Sequence, residues 1–575
     1  MLKRMKRVRI YIFLVVVIVI GLVAFGLGSR PMVEGADSSA FSAERVVQDI
    51  EQISQKHHSV AHPEERQEVR NYLVDRLNSL GADTIKLYEY KSLVGPENKH
   101  VVYTFDATNI LAEFYPEGES SDDTTTLMFI AHYDSRYSQP MPRQDTVWSY
   151  GAADDGYGLG VILESVDQAL KYKADWKQGV KVLFTDAEEV GMMGMKAQWQ
   201  NNREVFDNVG LIINLEARGP YGPALLFETS PGNARLMELY SSAANYPYTY
   251  SLTTVVYGFM PNFTDFTIAK EDIPGLNFST IADINHYHTD LDNFSNVNPR
   301  SIQHYGAQIT PIVHRYLTEP QYADRESLKS EENTICFSLP MLGLLNFSKS
   351  TYIIINIVTF LLFAILLAID RLRGRIEFGS VLRSAGGTLA LAVAMLVIGE
   401  IVAFAASLIA GAKFNLFGIV QGVTFDNATM ICSAVIMATT VIATYFRQLR
   451  RSTLGTQSSI HRSAAESATL RFASYRLYGV LGVMFVLSLV LLLAIGENLM
   501  FFIPLFAATL ALLLNRLTTL RAWYIAAVAL ILLHTLSFLY ALAMALTIGA
   551  FGAVLMLAYL DVRVMLSLSH LYLRK

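Results

Sequence analysis

KVLFTDAEEVGMMG, residues 181–194, holds a short apolar run, Val182 to Phe184, and soon after it two adjacent carboxylates, Glu188 and Glu189. The run reads as a buried strand, and Gly191 helps to make the turn that follows. Like charges side by side at a strand end repel each other, and they lose solvation if the site is enclosed. Such a pair needs a partner. The surrounding sequence repeats the same grammar. TLMFIAHYDS reads as strand then loop, GYGLGVILESVDQAL as helix, VKVLFT as strand, GLIINLEARG as strand then loop, GNARLMELYSSAA as helix and PGLNFST as strand. Residues 43–80 read as two amphipathic helices stopped by Gly81, and a last helix covers about 298–316. Strands alternating with helices predict an α/β fold, a mostly parallel mixed sheet sandwiched by helices. In such sheets sites gather at the carboxyl ends of the strands.

The rest of the 575-residue chain is different in kind. Its hydrophobic content of 52% and charged content of 17% depart from those of an ordinary soluble protein. The apolar excess lies in one N-terminal stretch and in almost everything after Thr351, whereas the middle has globular composition. This predicts an anchor with a basic tail over 1–30, a globular domain over 31–340 and an α-helical multi-pass membrane domain of about seven helices over 341–575. A net charge of -5 and the lack of a basic, aromatic-interleaved patch exclude a nucleic-acid partner. The two cysteines, Cys336 and Cys432, make no disulfide framework and read as structural.

The charges also predict topology. The apolar run 10–27 follows Lys3, Arg4, Lys6, Arg7 and Arg9, which keep the N-terminus cytoplasmic. A cleaved signal peptide is the competing reading, but the run is long for one and no A-x-A site follows. Further spans read as 352–369, 383–410, 425–446, 477–496, 499–515, 521–542 and 545–563. The links that hold Arg371, Arg373, Arg375, Arg447, Arg450, Arg451, Arg462, Arg471, Arg476, Arg516 and Arg521 then fall on one side with both termini. The globular domain is therefore expected outside the cytoplasm, with a bacterial plasma membrane favoured over an endoplasmic-reticulum or vacuolar one. Glu400 and His534 are the ionisable residues placed away from span ends, and they read as helix-to-helix hydrogen-bonding groups. The lipid bilayer is one expected partner, and a homo-oligomer through the membrane domain is another.

The polar residues of the middle domain recur at strand ends. His132 and Asp134 follow LMFIA, Asp154 and Asp155 stand before a helix, and Glu188 and Glu189 follow VLFT. Glu216 follows LIIN, and His288 comes shortly after LNFST. Each alone has an ordinary explanation, as loop residue, helix cap or solvated turn. Five such places in one domain point instead to a cation, zinc above all, held by two imidazoles and several carboxylates. In His132-Tyr133-Asp134 the aspartate can accept the second ring N–H and fix the tautomer. One carboxylate bridging two metals holds them about 3.5–4 Å apart, as hydrolytic two-metal sites require. One glutamate of the pair then binds metal, and the other stays free to take a proton from water.

HYDS, GAxDD, the EE pair, NLEARG and YHTxxDN, in this order, resemble the co-catalytic zinc exopeptidase family, which contains aminopeptidases, glutamate carboxypeptidase II and the glutaminyl cyclases. NLEARGPYGPALLFETSPGNARL, TDFTIAKEDIPGLNFS and the row of C-terminal spans are more similar to its multi-pass membrane branch, the endoplasmic-reticulum metallopeptidase and vacuolar membrane protease. The likeness covers roughly 43–316 by motif and 350–575 by architecture only. It implies a zinc aminopeptidase-like fold with His132, Asp154, Glu189, Glu216 and His288 as metal ligands, Asp154 bridging. Glu188 would be the general base, Asp134 would orient His132, and Tyr287 would help to hold the oxyanion. Asp155 would follow the bridging residue through a peptide that is often cis in the family. Two zinc ions per chain are implied, with one as the alternative, because glutamate at 216 replaces the usual aspartate and the cyclases use one. No other cofactor is implied. The activity implied is removal of N-terminal residues from peptide substrates. Glutaminyl cyclisation, carboxypeptidase or dipeptidase action (which Arg218 would favour) and a non-catalytic binding domain are the alternatives. His57 and His58 read as scaffold, and His286, two residues from His288, could compete as a ligand but does not fit the YHTxxDN frame.

Overall fold

Four strands, β3 (Thr126–His132), β6 (Gly179–Thr185), β7 (Val209–Ala217) and β9 (Gly275–Ala282), form the spine of the globular half. All residues of β3, β6 and β9 are buried, as expected of parallel strands covered on both faces. The structure is a computed structural model that describes residues 2–24, 30–95, 104–118, 124–138, 147–258, 260, 262–340, 342–411 and 461–573. The chain divides into two compact units, one of 29–338 with 342–349 and the other of 1–28, 339–341 and 350–575.

In the first unit β1 (Thr84–Val94), β2 (Thr104–Phe114) and β8 (Tyr221–Thr229) complete a seven-stranded sheet of order β1-β2-β6-β3-β7-β9-β8. The pairings within β6-β3-β7-β9 are parallel, whereas β1 with β2, β2 with β6 and β8 with β9 are antiparallel. The expected parallel sheet is thus its centre, and both flanks are antiparallel. A short hairpin, β4 (Tyr137–Ser138) with β5 (Val147–Trp148), stands apart from the sheet.

Alternation along each strand separates two cores. Phe129, Val182, Phe184 and Ile213 pack with the helices Ala43–Ile53, Gly156–Leu170 and Pro299–Thr318, while Met128, Ile130, Leu183 and Ile212 face Met195, Phe206 and Phe266. Each fully buried Phe, Leu or Ile contributes roughly 1.5–3 kcal/mol. Because the four central strands run the same way, His132, the loop after Thr185, the last residues of β7 and the loop after β9 all emerge at one edge.

The second unit is helical. Five segments are long and apolar enough to cross a membrane: Lys349–Leu372, Phe378–Ile409, Ala473–Ile495, Leu499–Thr518 and Ala522–Tyr572. The last contains two helices, Ala522–Leu546 and Phe551–Tyr572, joined by a 3-10 turn. Near the N-terminus the apolar helix is the shorter Ile10–Leu22. The span expected over 425–446, and Cys432 within it, lie outside the described residues. Gly399 and Gly552 let the helices Phe378–Ile409 and Phe551–Tyr572 approach so closely that a Cβ on Gly399 would collide with the backbone of Gly552. Glu400 and His534 have further ionisable companions away from the helix ends, Asp561 and Arg563. The final helix runs to Tyr572 rather than stopping near 563, so Asp561 lies mid-helix, buried, and its carboxylate accepts the Thr535 hydroxyl at 2.8 Å.

One buried histidine gives the first unit a titration of its own. His304 accepts from the Ala224 N–H through Nδ1 and donates through Nε2 to the Tyr246 carbonyl, both at 2.9 Å. Burial holds its pKa down at about 3, so the folded protein keeps it neutral. The unfolded chain takes up that proton as pH falls below about 6.5, so stability is lost on acidification from there toward the folded value. Denaturation midpoints of the detergent-solubilised protein should fall between pH 6.5 and 4 by up to about 1.4 kcal/mol per unit more steeply in the wild type than in His304→Gln. Parallel curves would refute this.

Candidate metal centre

His132 is the last residue of β3, and Tyr133 continues the pairing by donating its N–H to the Thr185 carbonyl at 2.9 Å. The imidazole is fixed at Nδ1, which lies 2.9 Å from the Asp134 carbonyl and 3.5 Å from the Asp134 carboxylate. The orienting contact is therefore chiefly the backbone oxygen of Asp134. Its carboxylate is engaged elsewhere, accepting the N–H groups of Glu188 at 2.9 Å and Glu189 at 3.2 Å. Asp134 thus ties the end of β3 to the glutamate turn after β6. Ala187, just before that pair, has φ +60°, a left-handed conformation uncommon for a residue with a Cβ.

With its proton on Nδ1, His132 presents the Nε2 lone pair to the Asp154 carboxylate at 3.3 Å and to Glu216 at 3.9 Å. A lone pair facing two carboxylates is repulsive unless a proton or a metal cation stands between them. Asp154 reaches in two directions, since its other oxygen lies 3.2 Å from His288 Nε2. His288 Nε2 is also 3.2 Å from Glu189. Five of the residues expected as ligands, His132, Asp154, Glu189, Glu216 and His288, therefore form one connected cluster with Asp154 in the middle. The Asp154–Asp155 peptide is cis.

Two groups of three could each hold a cation, His132 with Asp154 and Glu189, and His132 with Asp155 and Glu216. The distances to Asp154 and Glu189 add His288 to the first of these groups. Asp155 is divided between two tasks. One oxygen caps the helix Gly156–Leu170 by accepting the Gly158 N–H at 3.0 Å, and the other is buried without a hydrogen bond. Glu189 Oε1 and His288 Nε2 are also buried without hydrogen bonds. Orphaned acceptors beside two imidazoles are the donor set that zinc prefers, so the residues present fit that metal.

The electrostatics of the bare protein express the same surplus of acid. Burial drives Glu188 well above the ordinary carboxylate range, His132 opposes this, and Glu216, Asp265 and Glu189 reinforce it. Burial likewise moves Glu216 up to about 8 against the pull of His132. Burial disfavours charge on His132, yet hydrogen bonds with Asp134 and Asp154 carry it well above its usual value. The protons in the bare site occupy places that cations would take.

Several supporting groups had no role assigned from the sequence. Asp292, within HYHTDLDN, accepts the Ala153 N–H at 2.7 Å, the Asp154 N–H at 3.3 Å and the Ser149 hydroxyl at 3.0 Å, so it shapes the loop that presents Asp154. Arg136 donates to Glu189 Oε2 at 3.1 Å and to the Glu189 carbonyl. The Thr185 hydroxyl donates to Asp265. His57 and His58 lie in the turn between the first two helices rather than on a helix, and the His58 N–H donates to Ser135 at 3.1 Å, bracing the loop after β3. Tyr287 stacks on His288 with ring centroids 3.5 Å apart.

Residues 109–313 match peptidase family M28. Putative endoplasmic reticulum metallopeptidase 1-A of Caenorhabditis elegans is 26% identical over 315 residues, 54% of this chain and 32% of the relative. The vacuolar membrane protease of Schizosaccharomyces pombe is 26% identical over 279 residues, 45% of this chain and 30% of the relative. The chain thus spans about a third of the length of these curated relatives. A Zn-dependent exopeptidase from Parabacteroides distasonis aligns over 48% of this chain and 98% of its own, at 20% identity and a TM-score of 0.37. Residues 109–313, the stretch that matches peptidase family M28, carry His132, Asp154, Glu188, Glu189, Glu216 and His288.

Proposed function

We propose that the chain is a membrane-anchored zinc exopeptidase that removes N-terminal residues from peptides, with Glu188 as general base. The observation that carries this is the reach of Asp154 to both imidazoles, 3.3 Å from His132 and 3.2 Å from His288, beside a free glutamate. His132, Asp154 and Glu216 would hold one ion, and Asp154, Glu189 and His288 the other. Zinc bound there supplies Lewis acidity toward a peptide carbonyl and toward water. The chain's own residues do the rest. Glu188 accepts a proton from water at its carboxylate and returns it to the leaving amine. Asp134 fixes the direction of His132 and the backbone of the glutamate turn together, so the base and the ligands move as one piece. Tyr287, stacked on His288, would donate toward an oxyanion.

The full-length protein, assayed with a panel of aminoacyl fluorogenic substrates, should lose activity on chelation and regain it with zinc. Glu188→Gln should lower kcat at least about a hundredfold with zinc content unchanged. Full zinc content with no residue released by the wild type would overturn the reading.

The same proposal sets both termini in the cytoplasm and the domain over 31–340 outside it. It rests on the basic residues before 10, on Arg371 in the last turn of the helix Lys349–Leu372 and on Arg373 and Arg375 after it. In a Cys336→Ser, Cys432→Ser background, Ser38→Cys should react with a membrane-impermeant maleimide in intact cells. Arg373→Cys should react only after permeabilisation. The opposite pattern would reverse the orientation.

A further inference from the structure

The strand that delivers Glu216 also delivers a cation that the proposed hydrolysis does not use. The Arg218 N–H donates to the Thr280 carbonyl at 2.9 Å and the Ser279 hydroxyl at 3.1 Å, so the pairing of β7 with β9 continues through it. Strand alternation then directs Arg218 to the same face as Glu216, two residues earlier. Its guanidinium carbon lies 5.9 Å from the centre of the Tyr287 ring, and Tyr287 in turn stacks on His288. The cation is thus one aromatic ring away from an expected ligand.

A second phenol completes this wall. Tyr257, on the helix Ser251–Gly258, packs edge-on against Phe227 at 4.8 Å, and its hydroxyl is buried without a hydrogen bond. The charges acting on that phenol include Glu216, Glu188 and Arg218. Arg218 as a residue is half-buried rather than fully enclosed. Partly burying a guanidinium is costly, and its planar fork of donors matches a carboxylate better than any other common group. An orphan hydroxyl beside it supplies one more donor.

We propose that Arg218, with Tyr257, receives a carboxylate of the substrate. The assignment rests on the exopeptidase reading of the site and narrows its substrates to very short peptides, dipeptides foremost, whose free C-terminus lies next to the scissile bond. An acidic side chain would bring the same chemistry, and the test separates the two sources.

The full-length, zinc-loaded protein would be titrated calorimetrically with a Leu-Ala dipeptide whose scissile amide is reduced to a methylene-amine. The C-terminal carboxamide of that compound and the corresponding Glu-Ala carboxamide complete the set. The wild type should bind the free acid about 10- to 100-fold more tightly than its carboxamide, the range for hydrogen bonds to a charged group. In Arg218→Gln that ratio should fall to about one, Arg218→Lys should keep part of it, and Tyr257→Phe should lose a smaller part. A preference for the Glu-Ala carboxamide that disappears in Arg218→Gln would place the carboxylate on a side chain instead of the C-terminus and keep Arg218 as its receiver. Equal binding of all three compounds by the wild type, or a preference that persists in Arg218→Gln, would overturn the assignment while leaving the exopeptidase reading intact. If none of the compounds binds and zinc loading changes nothing, the exopeptidase reading fails and the assignment with it. Zinc content and melting temperature of each variant show whether it has folded, and Tyr257→Phe keeps the test available if Arg218→Gln has not.

Discussion

The site is organised around negative charge that the protein itself does not balance. Asp134, Asp154, Asp155, Glu189, Asp265 and Asp292 are buried, with Glu188 and Glu216 half-buried beside them. His132, His288 and Arg136 are the cations paired with this cluster among the described residues. Burying a carboxylate without a partner is among the most expensive things a fold can do. The sheet makes the arrangement affordable in geometry, because parallel strands deliver their ends to one edge. Backbone donors then absorb part of the charge. Asp134 takes two from the glutamate turn, Asp292 takes two from the loop before the helix Gly156–Leu170, and Asp155 takes one from that helix. What remains unsatisfied lies between the two imidazoles, which is where a metal centre would stand.

This constraint also explains what the sequence made legible. The central strands were readable because each is a short, continuous apolar run ending in polar residues, a pattern with few other interpretations. The flanking strands were not. TIKLYEYKSLV is mostly exposed or half-buried, with only Tyr90 buried, and carries Lys86, Glu89 and Lys91, so its pairing depends on β2 rather than on its own composition. Their antiparallel direction is likewise set by the hairpin and the long returns, which local pattern does not encode. The metal-side residues were legible because their types and positions are restrictive together. Asp292, Arg136 and Asp265 were not, since a lone aspartate or arginine in a loop has many uses. Asp292 stands in YHTxxDN, but the motif does not say that it braces the loop before Asp154. For Asp134 the residue was found but its contacts were reassigned, because spacing alone does not distinguish a carbonyl from a carboxylate as the histidine's partner.

The membrane half follows a different rule. There, length and apolarity reveal the helices, but polar residues acquire meaning only once helix ends are fixed. Asp561 looked like an end residue while the last span stopped near 563; the helix to Tyr572 makes it an interior carboxylic acid hydrogen-bonded to Thr535. Tyr352, Asn356, Ser488 and Asn498 form a second buried polar knot, with Asn498 donating to Asn356 at 2.9 Å and to the Ser488 hydroxyl at 2.7 Å. Such knots fix which helices neighbour one another in a medium that offers no water as a substitute partner. They account for assembly of this unit without invoking a transport path.

The most direct test of the central claim is anomalous X-ray diffraction at the zinc edge from crystals of the protein grown with zinc. The account predicts two peaks about 3.5–4 Å apart that share Asp154, one against His132 and Glu216, the other against Glu189 and His288. A single peak, or two that do not both contact Asp154, would contradict it.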